Sequence, residues 1–334
     1  MKILLTGGTG YIGSHTAVEL IEAGHEVEIV DNLFNSKINV LDDIKAITGT
    51  KPQFYKIDLL DKTALNEVIK NGHYDAVIHF AGLKAVAESV AKPLKYYENN
   101  ISGTINLLEA MQKYDVKKII FSSSATVYGD HDSVKLTEEM QTGVGITNPY
   151  GQTKYMIEQI LKDVSIANPK IEVTILRYFN PVGAHKSGLI GENPNDIPNN
   201  LMPIIMKVAT GEIPKLSIYG NDYNTPDGTG MRDFIHVVDL AKGHLAALES
   251  MKPGVLIYNL GTGEATSVME MVKAFEKESG KKLPYQFAPR RPGDLAIVYA
   301  DCTKAEKELK WKTNLTIVDA MRDTLNYLKT SYHL

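Results

Sequence analysis

The chain has 334 residues, room for about two domains at roughly 100–200 residues each. Hydrophobic residues make up 43% and charged residues 23%, which fits a folded globular protein and excludes a disordered one. With 36 Lys and Arg against 40 Asp and Glu, the formal charge of −4 lacks the basic excess needed to neutralise nucleic-acid phosphates or an anionic membrane. No apolar run approaches the roughly 20 residues that span a bilayer. Met1 leads within one residue into Ile3-Leu4-Leu5, leaving no room for a signal peptide, and the single cysteine, Cys302, cannot close an internal disulfide. These features predict a reduced, cytoplasmic protein with no membrane or nucleic-acid partner.

In chain order, short apolar or β-branched segments at 2–6, 26–30, 54–57, 76–80, 118–122 and 173–177 predict buried parallel strands. Between them, 12–23, 62–70, about 94–113 and 150–167 carry helical spacing. In the last of these, Ile157, Ile160, Leu161 and Val164 fall on one face. The alternation predicts an α/β fold, a doubly wound parallel sheet of Rossmann type covered by helices on both sides. After Tyr178 the texture changes. The stretch 180–200 is irregular, with Pro181, Gly183, Gly188, Gly191, Pro194 and Pro198, and 221–230 is a second turn-rich segment. Loops this long inside a domain often line a site. Helices are predicted at 238–251, 268–277 and 317–330. The expected division is 1–178 and 179–334, with some later segments returning to the first part.

The turn Gly7-Gly8-Thr9-Gly10-Tyr11-Ile12-Gly13 follows the first strand and opens the first helix. It fits G-x-G-x-x-G through Gly8, Gly10 and Gly13, and G-x-x-G-x-x-G through Gly7, Gly10 and Gly13. Glycines there let the backbone turn tightly and approach a pyrophosphate at a helix N-terminus. The motif alone is weak, but its context is present. Asp31 ends the second strand 18 residues beyond Gly13, close to the roughly 20 expected of a ribose-binding acid. A carboxylate there accepts from a ribose 2′-hydroxyl and repels a 2′-phosphate, which favours NAD over NADP. The first part therefore reads as the dinucleotide-binding domain. Asp58, after the third strand, reads equally well as an adenine contact or as a helix N-cap.

Tyr150 and Lys154 stand at i and i+4 on one predicted helix, and therefore on one face. A neighbouring ammonium is expected to lower the phenol toward the working range of a base. Such a spacing alone is most often a surface pair. It gains meaning from Ser122-Ser123-Ser124 after the fifth strand, because ligands in open parallel sheets bind beyond the strands' carboxyl ends. A serine there can meet a substrate hydroxyl, or simply satisfy its own turn.

The glycine turn, the Ser124, Tyr150 and Lys154 set, and Arg177-Tyr178-Phe179-Asn180-Pro181 resemble the extended short-chain dehydrogenase/reductases. More narrowly, Asp31-Asn32-Leu33, Phe80-Ala81-Gly82-Leu83-Lys84-Ala85-Val86, Asn199-Asn200-Leu201 and Gly228-Thr229-Gly230-Met231-Arg232-Asp233-Phe234 resemble the UDP-glucose 4-epimerase branch along essentially the whole chain. The resemblance implies tightly held NAD contacted by Gly7, Gly10, Tyr11, Ile12, Gly13, Asp31, Asn32, Asn35, Ser36, Asp58, Leu59, Phe80, Ala81, Lys84, Asn99, Ser122, Tyr150, Lys154 and Tyr178. It assigns the UDP-sugar to Lys84, Ser124, Tyr150, Asn180, Asn200, Leu201, Ser217, Tyr219, Arg232, Arg291, Asp294 and Val298, with Arg291 preferred over Arg290. Forked cations suit a diphosphate.

By the same resemblance, Tyr150 as phenolate takes the sugar's 4-hydroxyl proton while hydride passes to NAD. Lys154 stabilises the phenolate, and Ser124 hydrogen-bonds the reacting oxygen. The 4-keto sugar swings about its diphosphate and is reduced on the other face, interconverting UDP-glucose and UDP-galactose in galactose metabolism. The valine at 298, where relatives carry a tyrosine or a smaller residue, implies room for N-acetylated UDP-hexoses. Helices around 94–108 and 150–164 imply a homodimer. Sugar-nucleotide dehydratases and decarboxylases of this superfamily carry an acid after the active-site Ser or Thr, whereas Ser124 is followed by Ala125 and Thr126. A non-catalytic NAD sensor would not need Ser124, Tyr150 and Lys154 together. The nine histidines show no metal-ligand spacing, and His236 and His244 read as residues near a helix start and on its face. No metal is expected.

Overall fold

Seven parallel strands carry the architecture: β1 (Lys2–Thr6), β2 (Glu26–Asp31), β3 (Gln53–Lys56), β4 (Ala76–His79), β5 (Lys118–Ser124), β6 (Glu172–Tyr178) and β7 (Gly254–Leu260), in spatial order β7-β6-β5-β4-β1-β2-β3. They belong to a computed structural model that describes residues 1–130, 135–195, 200–291 and 293–332. Pro198 and Asn199, which figured in the sequence reading, lie outside the described residues.

Side chains alternate across the sheet as the two-residue period of a strand requires. Ile3 and Leu5 enter one core with Ala17, Val18, Ile44, Leu240 and Leu248, while Leu4 enters the opposite core with Leu65, Leu107, Leu108, Ile157 and Leu161. Helices Tyr11–Glu22, Val40–Thr48 and Val237–Glu249 thus cover one face, and Lys62–Gly72, Gly103–Lys113 and Pro149–Ala167 the other. The order reverses between β1 and β4, and the carboxyl ends of these strands at such a switch point are where ligands bind in open α/β sheets.

Two details differ from the sequence expectation. The serine triplet lies inside β5 rather than after it, with Ser122 opposite Leu176 and Ser124 opposite Tyr178. The expected helix 94–113 is Pro93–Tyr97 and Gly103–Lys113 joined by a π-helical turn at Glu98–Ser102. Buried Asn100 holds that turn, its side chain bonded to Leu83 N and O and to Thr153 Oγ1. β7, late in the chain, pairs in parallel with β6 of the first part.

The later chain builds small sheets around a third core of Ile205, Phe234, Met271, Phe275 and Met321. Met231–Arg232 lies between Thr266–Ser267 and Ile297–Ala300, Asn180–Val182 pairs with Phe234–His236, and Leu216–Tyr219 pairs with Tyr285–Ala288. Among the described residues, no helix is long and apolar enough to cross a membrane.

Candidate active site

Above the carboxyl ends of β1 and β4 lies a cavity of about 570 Å³. Its floor is the glycine turn. Gly7 adopts φ +71°, and a Cβ there would meet Ala81 N at 2.7 Å; a Cβ on Gly13 would meet the Gly7 carbonyl at 2.5 Å. Bulkier residues would push the turn off the strand. Gly10 caps the helix Tyr11–Glu22 without a side chain, so its first-turn N–H groups are left for a ligand. Asp31 closes one end: its carboxylate accepts from Thr9 N at 3.2 Å, Leu33 N at 2.8 Å and Ser36 Oγ at 3.3 Å. Asn32 donates to Asp58 at 2.9 Å. The N-cap of Lys62–Gly72 is Asp61, which accepts from Ala64 N, so the alternative reading of Asp58 as that cap falls away. The cavity, with its uncapped N–H groups and glycine cradle, fits a dinucleotide pyrophosphate. All the residues assigned to NAD by sequence line this one cavity.

At its inner wall, Asn148 caps the helix Pro149–Ala167, accepting from Gly151 N at 2.9 Å. This places Tyr150 and Lys154 one turn apart. Lys154 is buried, and its Nζ donates to the Ser122 carbonyl at 2.6 Å while standing 5.9 Å from the Tyr150 ring centroid. Burial lowers its ammonium to about 7, against the raising effect of Glu158. The expected depression of the phenol by Lys154 is not what the geometry gives. Burial raises Tyr150 above its ordinary value, and a hydrogen bond with Ser124 opposes that rise. Ser124 Oγ also accepts from Thr126 N at 3.2 Å, the bond that satisfies its own turn. Deeper still, Glu158 holds Arg177 through Nε at 3.0 Å and Nη2 at 2.7 Å, and accepts from Ser123 Oγ at 2.6 Å. That network ties the helix to β5 and β6.

Of the residues assigned to the UDP-sugar, Lys84 and Tyr150 line the cavity, and the others fall outside its wall. Several gather on the small sheets. Arg232 stands opposite Val298 in register and pairs with Asp294. Arg291 stacks over Tyr219, its guanidinium 4.0 Å from the ring centroid, beside Ser217 on the same strand. Arg290 is instead held by Asp222 and by the ring of Tyr223, whereas Arg291 has no carboxylate partner among the described residues. Asn180 and Asn200 are exposed, and Leu201 begins a helix. Val298 packs half-buried against Val127, Tyr128, Leu136 and Phe179.

The sequence pattern of the NAD dependent epimerase/dehydratase family matches residues 3–261. The chain belongs to this family. Among its relatives, the UDP-glucose 4-epimerase of Bacillus subtilis strain 168 is 57% identical, over 97% of this chain and 96% of its own. The crystal structure of UDP-glucose 4-epimerase from Bifidobacterium longum, in complex with NAD+ and UDP, superposes with a TM-score of 0.95 at 53% identity, covering 99% and 98% of the two chains. The UDP-Glc/GlcNAc 4-epimerase of Campylobacter jejuni matches with a TM-score of 0.85 at 36% identity, covering 98% and 99%.

Within this family fold, the cavity has lining that the sequence reading missed: Leu189–Asn193 from the irregular segment, and Tyr327 and Thr330 from the last helix. The signal for the first was the loop itself, long and rich in Gly and Pro. The last helix carried none, because its amphipathic face reads as ordinary packing. His236 accepts from Val238 N and caps Val237–Glu249, and His244 lies on that helix within hydrogen-bonding distance of Tyr178.

Proposed function

We infer that this chain interconverts UDP-glucose and UDP-galactose by reversible inversion of the hexose at carbon four, with NAD as its cofactor. One observation carries the reading: Tyr150 and Lys154, one turn apart on the helix Pro149–Ala167, both stand in the wall of the cavity floored by the glycine cradle. NAD held there supplies a reversible hydride acceptor. Gly7, Gly10 and Gly13 admit its pyrophosphate, Asp31 and Asn32 the adenosine ribose, and Phe80, Lys84, Asn99, Ser122 and Tyr178 the remainder. Tyr150 Oη takes the 4-hydroxyl proton and later returns it, and the Lys154 ammonium supports the phenolate. Ser124 Oγ, whose influence lowers the phenol, orients the reacting hydroxyl. Arg232, Arg291 and Asp294, with Asn180, Asn200, Leu201, Ser217 and Tyr219, hold the UDP moiety, so the 4-keto sugar can turn about that anchor. Ala125 and Thr126 leave the position after Ser124 without the acid that dehydration or decarboxylation requires.

Three further elements belong to the same proposal. The chain divides near residue 178 into a dinucleotide part and a UDP-sugar part, with β7 and the helix Val237–Glu249 serving the first. It works in the cytoplasm as a homodimer, using apolar side chains left exposed beside its own core: Leu94, Ile105 and Met156. Val298 leaves room beside the hexose for an N-acetyl group, a reading supported by the dual name of the Campylobacter jejuni relative.

Tyr150→Phe tests the mechanism. The variant should bind UDP as wild type does while turnover of UDP-galactose falls about 10²–10⁴-fold. Near-normal turnover would remove Tyr150 as the base. Val298→Tyr tests the breadth: wild type should turn over UDP-N-acetylglucosamine, and the added ring should abolish that activity while sparing UDP-galactose. A wild type inert toward acetylated sugars, or a variant unchanged toward them, would refute it.

A further inference from the structure

Among the described residues, the irregular segment after Val182 places one acid, Glu192, in the cavity wall. Glu192 is 6% exposed, and its Oε1 accepts from Lys84 Nζ at 3.1 Å and from Asn200 Nδ2 at 2.6 Å. It thereby ties a residue of the dinucleotide wall to the start of the helix Leu201–Ala209. Its other oxygen, Oε2, is shielded from solvent and has no hydrogen-bond partner among the described residues. Tyr11, the nearby phenol, cannot serve it, because the Tyr11 hydroxyl donates to the Gly183 carbonyl at 2.6 Å. A buried acceptor left unpaired is unfavourable, and a bound donor removes that penalty. A carboxylate repels a diphosphate, and the Lys84 ammonium is already bonded to Oε1, so the donor that suits Oε2 is a neutral hydroxyl.

We propose that Glu192 is a ligand-contacting residue whose Oε2 accepts a hydrogen bond from a sugar hydroxyl while Oε1 orients Lys84 and Asn200. The hydroxyl belongs to the ribose of the dinucleotide or to the hexose of the substrate. Both sources present the same chemistry, and the experiment separates them. The proposal rests on the NAD and UDP-sugar reading of the cavity.

The test compares wild type with Glu192→Gln and Glu192→Ala. In Glu192→Gln the amide oxygen keeps Lys84 and Asn200, and an NH₂ group replaces the free acceptor. Three readouts are needed: NAD retained per chain together with its dissociation rate, affinity for UDP-glucose, and affinity for UDP, which has no hexose. A charged hydrogen bond lost from a buried site should weaken one of the first two about tenfold or more in Glu192→Gln. UDP affinity should stay within about twofold of wild type. Faster loss of NAD assigns the hydroxyl to the ribose; weaker UDP-glucose binding assigns it to the hexose. Unchanged NAD retention and UDP-glucose affinity in Glu192→Gln would overturn the proposal, as would a loss of UDP affinity equal to that of UDP-glucose. Glu192→Ala, which also frees Lys84 and Asn200, should lose more than Glu192→Gln; equal behaviour would contradict the role of Oε1. Failure of the underlying reading shows separately, as wild-type protein that carries no NAD and does not turn over UDP-galactose.

Discussion

Lys154 is a cation that its surroundings disfavour. Its ammonium is buried, lowered to about 7 from 10.5, and held by a single carbonyl. Between those two values the unfolded chain binds the proton and the folded chain does not, so stability rises with pH across that window. Below about 7 both states are charged, and the full penalty of burying the ammonium is present. Lys154→Met removes the charge and keeps the stem. Its melting temperature should therefore exceed that of wild type most at pH 7 and by less at pH 9–10, read from thermal melts at matched cofactor loading. A gap that stays constant or widens with pH would contradict the burial assignment. The pair Tyr150 and Lys154 was legible because i and i+4 fix a shared helix face whatever the rest of the fold does. The direction of the phenol's shift was not, because it depends on burial, and burial is set by strands and loops far away in sequence. Glu192 was hidden for the same reason: its partners are Lys84, 108 residues earlier, and Asn200 across the loop.

The glycine turn is the element proposed to cradle the cofactor. Gly13 sits in the first turn of its helix, where an added Cβ would lie 2.5 Å from the Gly7 carbonyl and 2.8 Å from Gly8 Cα. Backbone atoms at that distance must move, and with them the N–H groups proposed to hold the pyrophosphate. Gly13→Ala should purify with at least about tenfold less NAD per chain than wild type, measured on the supernatant after denaturation. Full loading would show that the turn tolerates a side chain. Strands were legible because KILLT and its counterparts are short and apolar and are punctuated by turns. The π-turn at Glu98–Ser102 was not, since one residue inserted into a helix leaves the apolar spacing on either side nearly intact. Likewise the segment Gly254–Leu260 could be read as extended, but nothing local says that it pairs with β6.

For the whole molecule, the question is which apolar surface is already used. Ile157 and Leu161 cover the chain's own sheet, as do Leu107 and Leu108, so those parts of the predicted dimer helices are internal. Leu94 is 81% exposed, and Val90, Ile105 and Met156 are exposed with it. A second copy laid on these helices would bury them. Light scattering at micromolar concentration should give twice the chain mass for wild type and a single-chain mass for Leu94→Arg with an unchanged melting curve. A monomeric wild type would refute the dimer.

Every scale converges on one reaction, and a single mixture tests it. Purified protein is incubated with UDP-galactose, no dinucleotide is added, and the sugar nucleotides are separated and identified. The account predicts a mixture of UDP-galactose and UDP-glucose that reaches the same ratio when the incubation starts from UDP-glucose. Unchanged UDP-galactose, or a dehydrated product in place of UDP-glucose, would contradict it.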